Sequence, residues 1–352
     1  MRPKLHRIAI FLLLPLFLIL TSFPLSAHAA ETDLLDKYYP SDIEGHWAND
    51  TLDNFVNAGL LSGYADADGT INIKPNNNIT RAEFVTILVG AAGLTTSQPG
   101  KTFTDVKAGK WYADPIRIAS SLGIVGGISN TEFGPDRPIT RGEIAVMVVN
   151  AFSSSVKFDG QPKTFTDVPQ YYAKPAIQKA SQVGIVAGMT ETEFKPFGRA
   201  TRAQAVVMLE RSLKLQQGNL PLEQDLIDLA VKADKEETQL MVDKKYADLE
   251  RSFLKYYTGY QFAYSMSSLA EINEMAAMGG TLDIKVVKAP TFRVTERSDR
   301  LAVLDSVYGE VEMKISNGAN TYEDTIKTDG QYLMKKMPDN TWKIYAILTG
   351  EK

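Results

Sequence analysis

No cysteine occurs among the 352 residues, which excludes disulfides, thiolate metal sites, iron-sulfur clusters and a cysteine nucleophile. Histidine is nearly as scarce, with His6, His28 and His46 the three in the chain. Basic excess is missing too: 38 Lys+Arg stand against 42 Asp+Glu, a net charge of −4, so no overall positive field marks a nucleic-acid binder. The apolar run from Ile8 to Leu20 is about 13 residues, short of the roughly 20 that cross a bilayer as a helix. Arg2, Lys4 and Arg7 precede this run, and Ala27-His28-Ala29 follows with small residues at both positions a signal peptidase reads. Residues 1–29 are therefore expected to be a signal peptide cleaved after Ala29, with no membrane span afterwards. A lipid attachment site is impossible without cysteine. Export takes the net charge to −7 and leaves His46 as the sole imidazole, so a two-histidine zinc or haem site is excluded and no metal or other cofactor is expected.

Self-comparison of the chain exposes a threefold repeat. Ile79-Thr80-Arg81-Ala82-Glu83 recurs as Ile139-Thr140-Arg141-Gly142-Glu143 and as Ala200-Thr201-Arg202-Ala203-Gln204, the threonines 60 and 61 residues apart. Upstream, Asp42-Ile43 with Trp47 matches Phe103-Thr104-Asp105-Val106 with Trp111, and Phe165-Thr166-Asp167-Val168 with Tyr172. Gly59-Leu-Leu-Ser-Gly63, Gly123-Ile-Val-Gly-Gly127 and Gly184-Ile-Val-Ala-Gly188 each begin 12 residues after that aromatic, and Pro75, Pro135 and Pro196 each lie five before the threonine.

Each unit predicts a short helix ending at a glycine suited to a left-handed cap, a turn with an extended stretch, and a second helix. The threonine N-caps that second helix, and the acid or amide three residues on completes a capping box. The second helices are apolar nearly all round: Phe84 to Val89, Ile144 to Val149 and Ala205 to Leu209. Such helices belong inside, packed on one another with the shorter helices outside.

The arginine after each cap is the informative residue. At the first helical position it faces the positive end of the helix dipole, at a cost of about 0.3–1 kcal/mol, yet it recurs in all three copies. Helix amides together with a guanidinium fork suit a carboxylate or phosphate; pairing with a neighbouring acid is the structural alternative. Trp47 and Trp111 offer flat faces to a sugar ring, or close the edge of the core. Tyr64-Ala-Asp66-Ala-Asp68-Gly69 superficially resembles the opening of a calcium loop, but Asn77 stands where a closing glutamate belongs, so a hairpin tip is expected.

These motifs, in constant order and spacing, resemble the S-layer homology (SLH) repeat in three tandem copies at 39–95, 101–155 and 163–215. The resemblance implies an all-α pseudo-threefold helical bundle on a Gram-positive-type cell surface. Its partner would be an anionic, often pyruvylated, secondary cell-wall polymer held non-covalently in grooves between repeats. On that likeness Arg81, Arg141 and Arg202 meet the polymer's acidic group, while Trp47, Trp111, Gly63 and Gly127 line the grooves. Copy three departs from the pattern with Tyr172, Ala200 and Gln204, which puts its groove in doubt.

After a linker at 216–222, residues 223–352 predict an α+β domain of helices packed on a curved antiparallel sheet. Leu226, Leu229, Ala230, Ala233, Leu240 and Met241 form an apolar helical stripe, and Phe253, Tyr256, Tyr257, Tyr260 and Tyr264 follow at core-like spacing. Ser268-Leu-Ala-Glu271 is expected to cap a further helix that Gly279-Gly280 ends. From Leu301 to Ile315 alternation predicts one long half-buried strand, and Gln331–Lys336 with Thr341–Leu348 a hairpin. The order is similar to the NTF2-like cone fold, a resemblance that implies a pocketed ligand or partner module. Asp305, set among apolar strand positions, is either a buried general base or an acid paired with Lys or Arg. The expectation is therefore a secreted, non-catalytic wall-anchored protein displaying a C-terminal binding domain whose partner is unknown. The alternative is a wall-tethered hydrolase or isomerase using Asp305.

Overall fold

The computed structural model describes residues 34–349 apart from 68 and 318–319. The expected leader with its cleavage point at Ala29, and Asp68 of the acidic loop, lie outside the described residues. Each repeat contributes a short outer helix and a longer inner one. These are α1 (Asn49–Asn57) and α2 (Arg81–Ala92), α3 (Ala113–Ser121) and α4 (Arg141–Phe152), and α5 (Lys174–Gln182) and α6 (Arg202–Lys214). Gly59, Gly123 and Gly184 follow the outer helices at φ of +65°, +69° and +76°, the left-handed backbone that glycine adopts without a Cβ penalty. Thr80, Thr140 and Thr201 each cap an inner helix, with the reciprocal bond from Glu83, Glu143 or Gln204 in place. The inner helices pack on one another, and Phe84, Leu88, Ile144, Val148, Ala205 and Leu209 are sealed from solvent.

The repeat region is not purely helical, which corrects the all-α expectation. Strands β1 (Tyr64–Ala65) and β2 (Ile71–Asn72) form the hairpin expected at the acidic loop. Backbone bridges join Asn78 to Thr201, Thr80 to Pro138 and Thr140 to Arg199. At the bundle axis Ile139 N–H donates to the Ile79 carbonyl (3.0 Å), Ala200 to Ile139 (2.9 Å) and Ile79 to Ala200 (3.1 Å), closing a ring of three. These residues have no exposed surface, so each peptide group must find a partner within the protein. The extended stretch of each repeat supplies it to the next.

Three helices open the C-terminal region: α7 (Glu223–Val242), α8 (Leu249–Tyr256) and α9 (Gly259–Ala277). Ser268 and Glu271 fall inside α9 and do not start a helix. No proline or glycine interrupts residues 260–277, so the helix runs through the expected cap and ends before Gly279, at φ +82°. The strands are β3 (Thr281–Lys288), β4 (Thr291–Arg297), β5 (Leu301–Val307), β6 (Glu310–Ser316), β7 (Thr321–Lys327), β8 (Gly330–Lys336) and β9 (Trp342–Thr349). They form two antiparallel sheets in the orders β3-β6-β7 and β4-β5-β8-β9. The single long strand expected from Leu301 to Ile315 is two strands in different sheets. Tyr308, at φ +66°, and Gly309 turn the chain from one sheet to the other. The terminal hairpin is present as β8 and β9, and irregularities in register at Val286, Val294 and Leu333 bend the sheets.

The expected linker is tied down. The Asp299 carboxylate accepts from Gly218 N–H (3.2 Å) and Asn219 N–H (2.8 Å), and Arg297 donates to the Pro221 carbonyl (2.7 Å). Tyr260, Ala263, Leu301, Leu333, Tyr345 and Ala346 of the C-terminal region join the hydrophobic core of the repeats. Across this contact the Tyr345 hydroxyl donates to Asn54 (2.6 Å), the Tyr39 and Tyr260 hydroxyls meet at 2.8 Å, and Lys335 reaches the Ala58 carbonyl. Among the described residues no helix is long and apolar enough to cross a membrane.

Candidate functional site

The aspartate that opens each repeat, in Asp42-Ile43 and in the two Phe-Thr-Asp-Val motifs, folds the turn that the site is built on. Asp42 accepts from Ile73 and Lys74 N–H (2.8 and 2.6 Å), Asp105 from Phe133 and Gly134 (2.8 and 2.7 Å), and Asp167 from Phe194 and Lys195 (2.9 and 2.6 Å). The second residue of each pair is left-handed: Lys74, Gly134 and Lys195 have φ of +55°, +73° and +58°. This turn aims a carbonyl at the arginine of the preceding repeat.

The three arginines lie inside, keeping 3% (Arg81), 6% (Arg141) and 3% (Arg202) of their surface. Arg81 donates from Nε to the Phe133 carbonyl (3.0 Å) and from Nη2 to Gly126 (3.1 Å). Arg141 does the same to Phe194 (2.8 Å) and Ala187 (3.2 Å), and Arg202 to Ile73 (2.7 Å) and Ser62 (2.9 Å). Aromatic rings lie under the guanidinium groups, Phe133, Phe194 and Tyr64 having centroids 4.7, 4.6 and 4.7 Å from Cζ. Each arginine thus fastens one repeat to the next, the last closing onto the first. Charge-assisted bonds of this kind contribute about 1.5–3 kcal/mol each, which outweighs the dipole penalty at the first helical position.

The helix amides expected to receive an anion are already used. Arg81 and Ala82 N–H donate to Arg137 and Pro135 carbonyls, Arg141 and Gly142 to Gly198 and Pro196, and Arg202 and Ala203 to Asn77 and Pro75. The N-cap amide goes to the Glu or Gln side chain and the third helical amide to the threonine hydroxyl. Close approach of the repeats consumes these donors, so any acidic ligand must be met by side chains. Gly63 and Gly127 are half-buried within their turns, where a Cβ would collide with Asn72 and Glu132 carbonyls, among others. Their place is to set the adjoining Ser62 and Gly126 carbonyls that Arg202 and Arg81 grip.

The remaining guanidinium nitrogen, Nη1, distinguishes the three sites. In Arg81 it pairs with Glu143 (3.1 Å), which also binds Arg137. In Arg202 it reaches the Tyr64 hydroxyl (2.8 Å) and Glu83 (3.4 Å). Arg141 has no such carboxylate: the corresponding residue of the third repeat is Gln204, whose amide contacts the Met189 sulfur at 3.6 Å. Among the described residues Arg141 Nη1 has no partner, and it is not one of the sealed, unsatisfied polar atoms. Burial lowers the Arg141 pKa to about 10, opposed by Asp167, so it remains a cation at neutral pH. Burial lowers the Arg81 pKa as well, with Glu143 opposing.

Trp47, Trp111 and Tyr172 are 64%, 59% and 68% exposed, which removes the reading in which the tryptophans close the core. Tyr172 lies beside the first site, within electrostatic reach of Glu143, Arg81 and Arg137. Arg137 is a further half-exposed cation that the repeat comparison missed, because the other copies carry Asn77 and Gly198 there. Asp305 is engaged by Arg293 (3.0 Å) and by the Gln331 amide (3.0 Å), the paired-acid outcome. In the acidic hairpin Asp66 binds Lys74 and Asn72.

Residues 41–85, 102–145 and 164–206 match the S-layer homology domain, so the chain carries three S-layer homology domains. It is similar to the Surface-layer 125 kDa protein of Lysinibacillus sphaericus, at 32% identity over 48% of this chain and 14% of that protein. The Cellulosome-anchoring protein of Acetivibrio thermocellus is 30% identical over 45% of this chain and 36% of its own length. The Amylopullulanase of Thermoanaerobacterium thermosulfurigenes is 29% identical over 51% of this chain and 10% of its own length. The enzyme matches fall in the repeats, and the chain spans only a small part of the relatives' length.

Proposed function

We propose, with three S-layer homology domains as the premise, that this protein is an exported cell-surface protein. Its repeats attach it non-covalently to an acidic secondary polymer of a Gram-positive-type cell wall, and residues 223–352 are presented as a non-catalytic binding domain. The observation that carries the reading is Arg141, a cation held by two carbonyls with a third donor left over and no carboxylate opposite. A carboxylate on the polymer, such as a pyruvyl ketal, would supply the missing charge by a charge-assisted hydrogen bond. Exposed Trp47, Trp111 and Tyr172 would offer stacking faces to neighbouring sugars. Relatives named as surface-layer and cellulosome-anchoring proteins support the same attachment. Arg81 and Arg202, already paired, serve mainly to hold the repeats together, and Arg137 beside Glu143 is the second candidate contact. The helix-then-sheet order of the C-terminal region supports an NTF2-like pocketed module.

Sedimentation with purified cell wall tests the reading directly. The protein should pellet with intact wall and stay in solution with wall stripped of its secondary polymer. Equal retention on both would defeat it.

A further inference from the structure

The second hydrophobic core, between the C-terminal helices and sheets, contains a cavity of about 90 Å³. Its wall is mostly apolar and aromatic, including Phe253, Tyr257 and Tyr264, but two carboxylates open onto it, Asp234 and Glu237. They are three residues apart on α7 and so share a face. Among the described residues no lysine, arginine or histidine lines the cavity. Glu237 accepts from the Tyr257 hydroxyl, whereas Asp234 has no hydrogen bond or ion pair to any described residue. Tyr332, only 4% exposed, also lines the cavity. Among the described residues its hydroxyl has no hydrogen-bond partner.

Two half-buried carboxylates on a largely apolar pocket wall without a counter-ion are costly to ionise. Burial raises Glu237 to about 7, with Asp234 adding to the effect, and burial raises Asp234 to about 6. The other titratable groups facing them are tyrosines: Tyr257 after α8, Tyr264 on α9 and Tyr332 on β8. A ligand that restores both charges must itself be positive, and the apolar wall and aromatic faces favour an organic cation over a hydrated metal ion. The volume admits several waters or one short alkyl chain.

We propose that this cavity binds a small organic amine, its ammonium held between Asp234 and Glu237 with an N–H donated to the Tyr332 hydroxyl, and its short apolar body against the surrounding aromatic side chains. The site is independent of wall attachment.

The test is titration of the full chain with n-butylamine, 1-butanol and butyrate, followed by saturation-transfer NMR at pH 8. Only n-butylamine should saturate, and its affinity should fall at least about tenfold on going to pH 5 as the two acids take up protons. Asp234→Asn removes an unpartnered carboxylate and should weaken binding by about tenfold with an unchanged circular dichroism spectrum. Glu237→Gln should do the same while keeping an acceptor for Tyr257; if it fails to fold, Asp234→Asn and the wild-type pH profile still decide. Equal binding of 1-butanol, absence of n-butylamine binding, or amine binding undiminished in Asp234→Asn and at pH 5 would each overturn the proposal.

Discussion

Gln204→Glu would place in the third repeat the carboxylate that the other two possess. In those repeats the acid lies 3.1 Å (Glu143 to Arg81) and 3.4 Å (Glu83 to Arg202) from the arginine, so the introduced carboxylate is expected at a similar distance from Arg141 Nη1. At about 4 Å and an effective dielectric near 20, the attraction is about 4 kcal/mol before desolvation. The net contribution of such a charge-assisted bond is about 1.5–3 kcal/mol. An acidic wall polymer competing for Arg141 loses that amount, which corresponds to affinity about 10- to 150-fold weaker. The fold should be unharmed or slightly more stable, because the capping box accepts Glu in two copies already, and the Arg141 pKa should rise from about 10. The assay is co-sedimentation with polymer-bearing wall over a range of protein concentrations, paired with thermal denaturation. Wild-type retention by a Gln204→Glu protein that melts at or above the wild-type temperature would refute the assignment of Arg141 as the anion contact. The reciprocal change, Glu143→Gln, leaves Arg81 and Arg137 without their shared carboxylate and should strengthen retention.

Other consequences follow from the same geometry. Asp105→Ala strips two backbone N–H groups of their acceptor and should destabilise the repeats by about 2–4 kcal/mol in thermal or urea unfolding; a loss within about 0.5 kcal/mol would show that the turn holds without it. Gly93 caps α2 at φ +60°, and a Cβ there would meet the Arg300 guanidinium at 2.2–2.5 Å. Gly93→Ala should therefore cost at least about 1 kcal/mol and speed amide exchange around Ser298–Leu301, whereas unchanged exchange would mean the contact yields freely. Asp234 and Glu237 hold protons more tightly in the folded than in the unfolded chain, so their cost to stability is absent below about pH 4 and fully present above about pH 7. Glu237→Gln should accordingly raise stability by ~3 kcal/mol at pH 8, the rise from 4.5 to about 7 being worth about 1.4 kcal/mol per unit, and by little at pH 4, as read by calorimetry.

Much of the repeat region was legible because its signals are local. A capping box needs four consecutive residues, and a glycine with positive φ needs one, so Thr80, Thr140, Thr201, Gly59, Gly123 and Gly184 carry their structure in their immediate neighbours. The C-terminal strands were harder. Alternation continues across Tyr308-Gly309, and period alone carries no mark of a chain that leaves one sheet for another. Ser268 and Glu271 have the spacing of a cap, but the residues before them were already helical. The clustering of Asp234, Tyr257 and Tyr332 around one cavity joins positions almost 100 residues apart, for which no spacing rule exists.

From the residue string alone came the expected export signal, the count of three repeats, their capped apolar helices and the singling out of Arg81, Arg141 and Arg202. Tertiary structure decided what those arginines do. Hydrogen bonding is settled by which groups meet in space: the carbonyls at Phe133, Phe194 and Ile73 lie 52, 53 and 129 residues from the guanidinium groups they bind. The substitution of Gln204 for glutamate reads in one dimension as a weakened copy. Only the closed ring of repeats, in which Glu143 meets Arg81 and Glu83 meets Arg202, reveals that Arg141 lacks the matching carboxylate, the difference on which the proposed acidic-ligand contact rests.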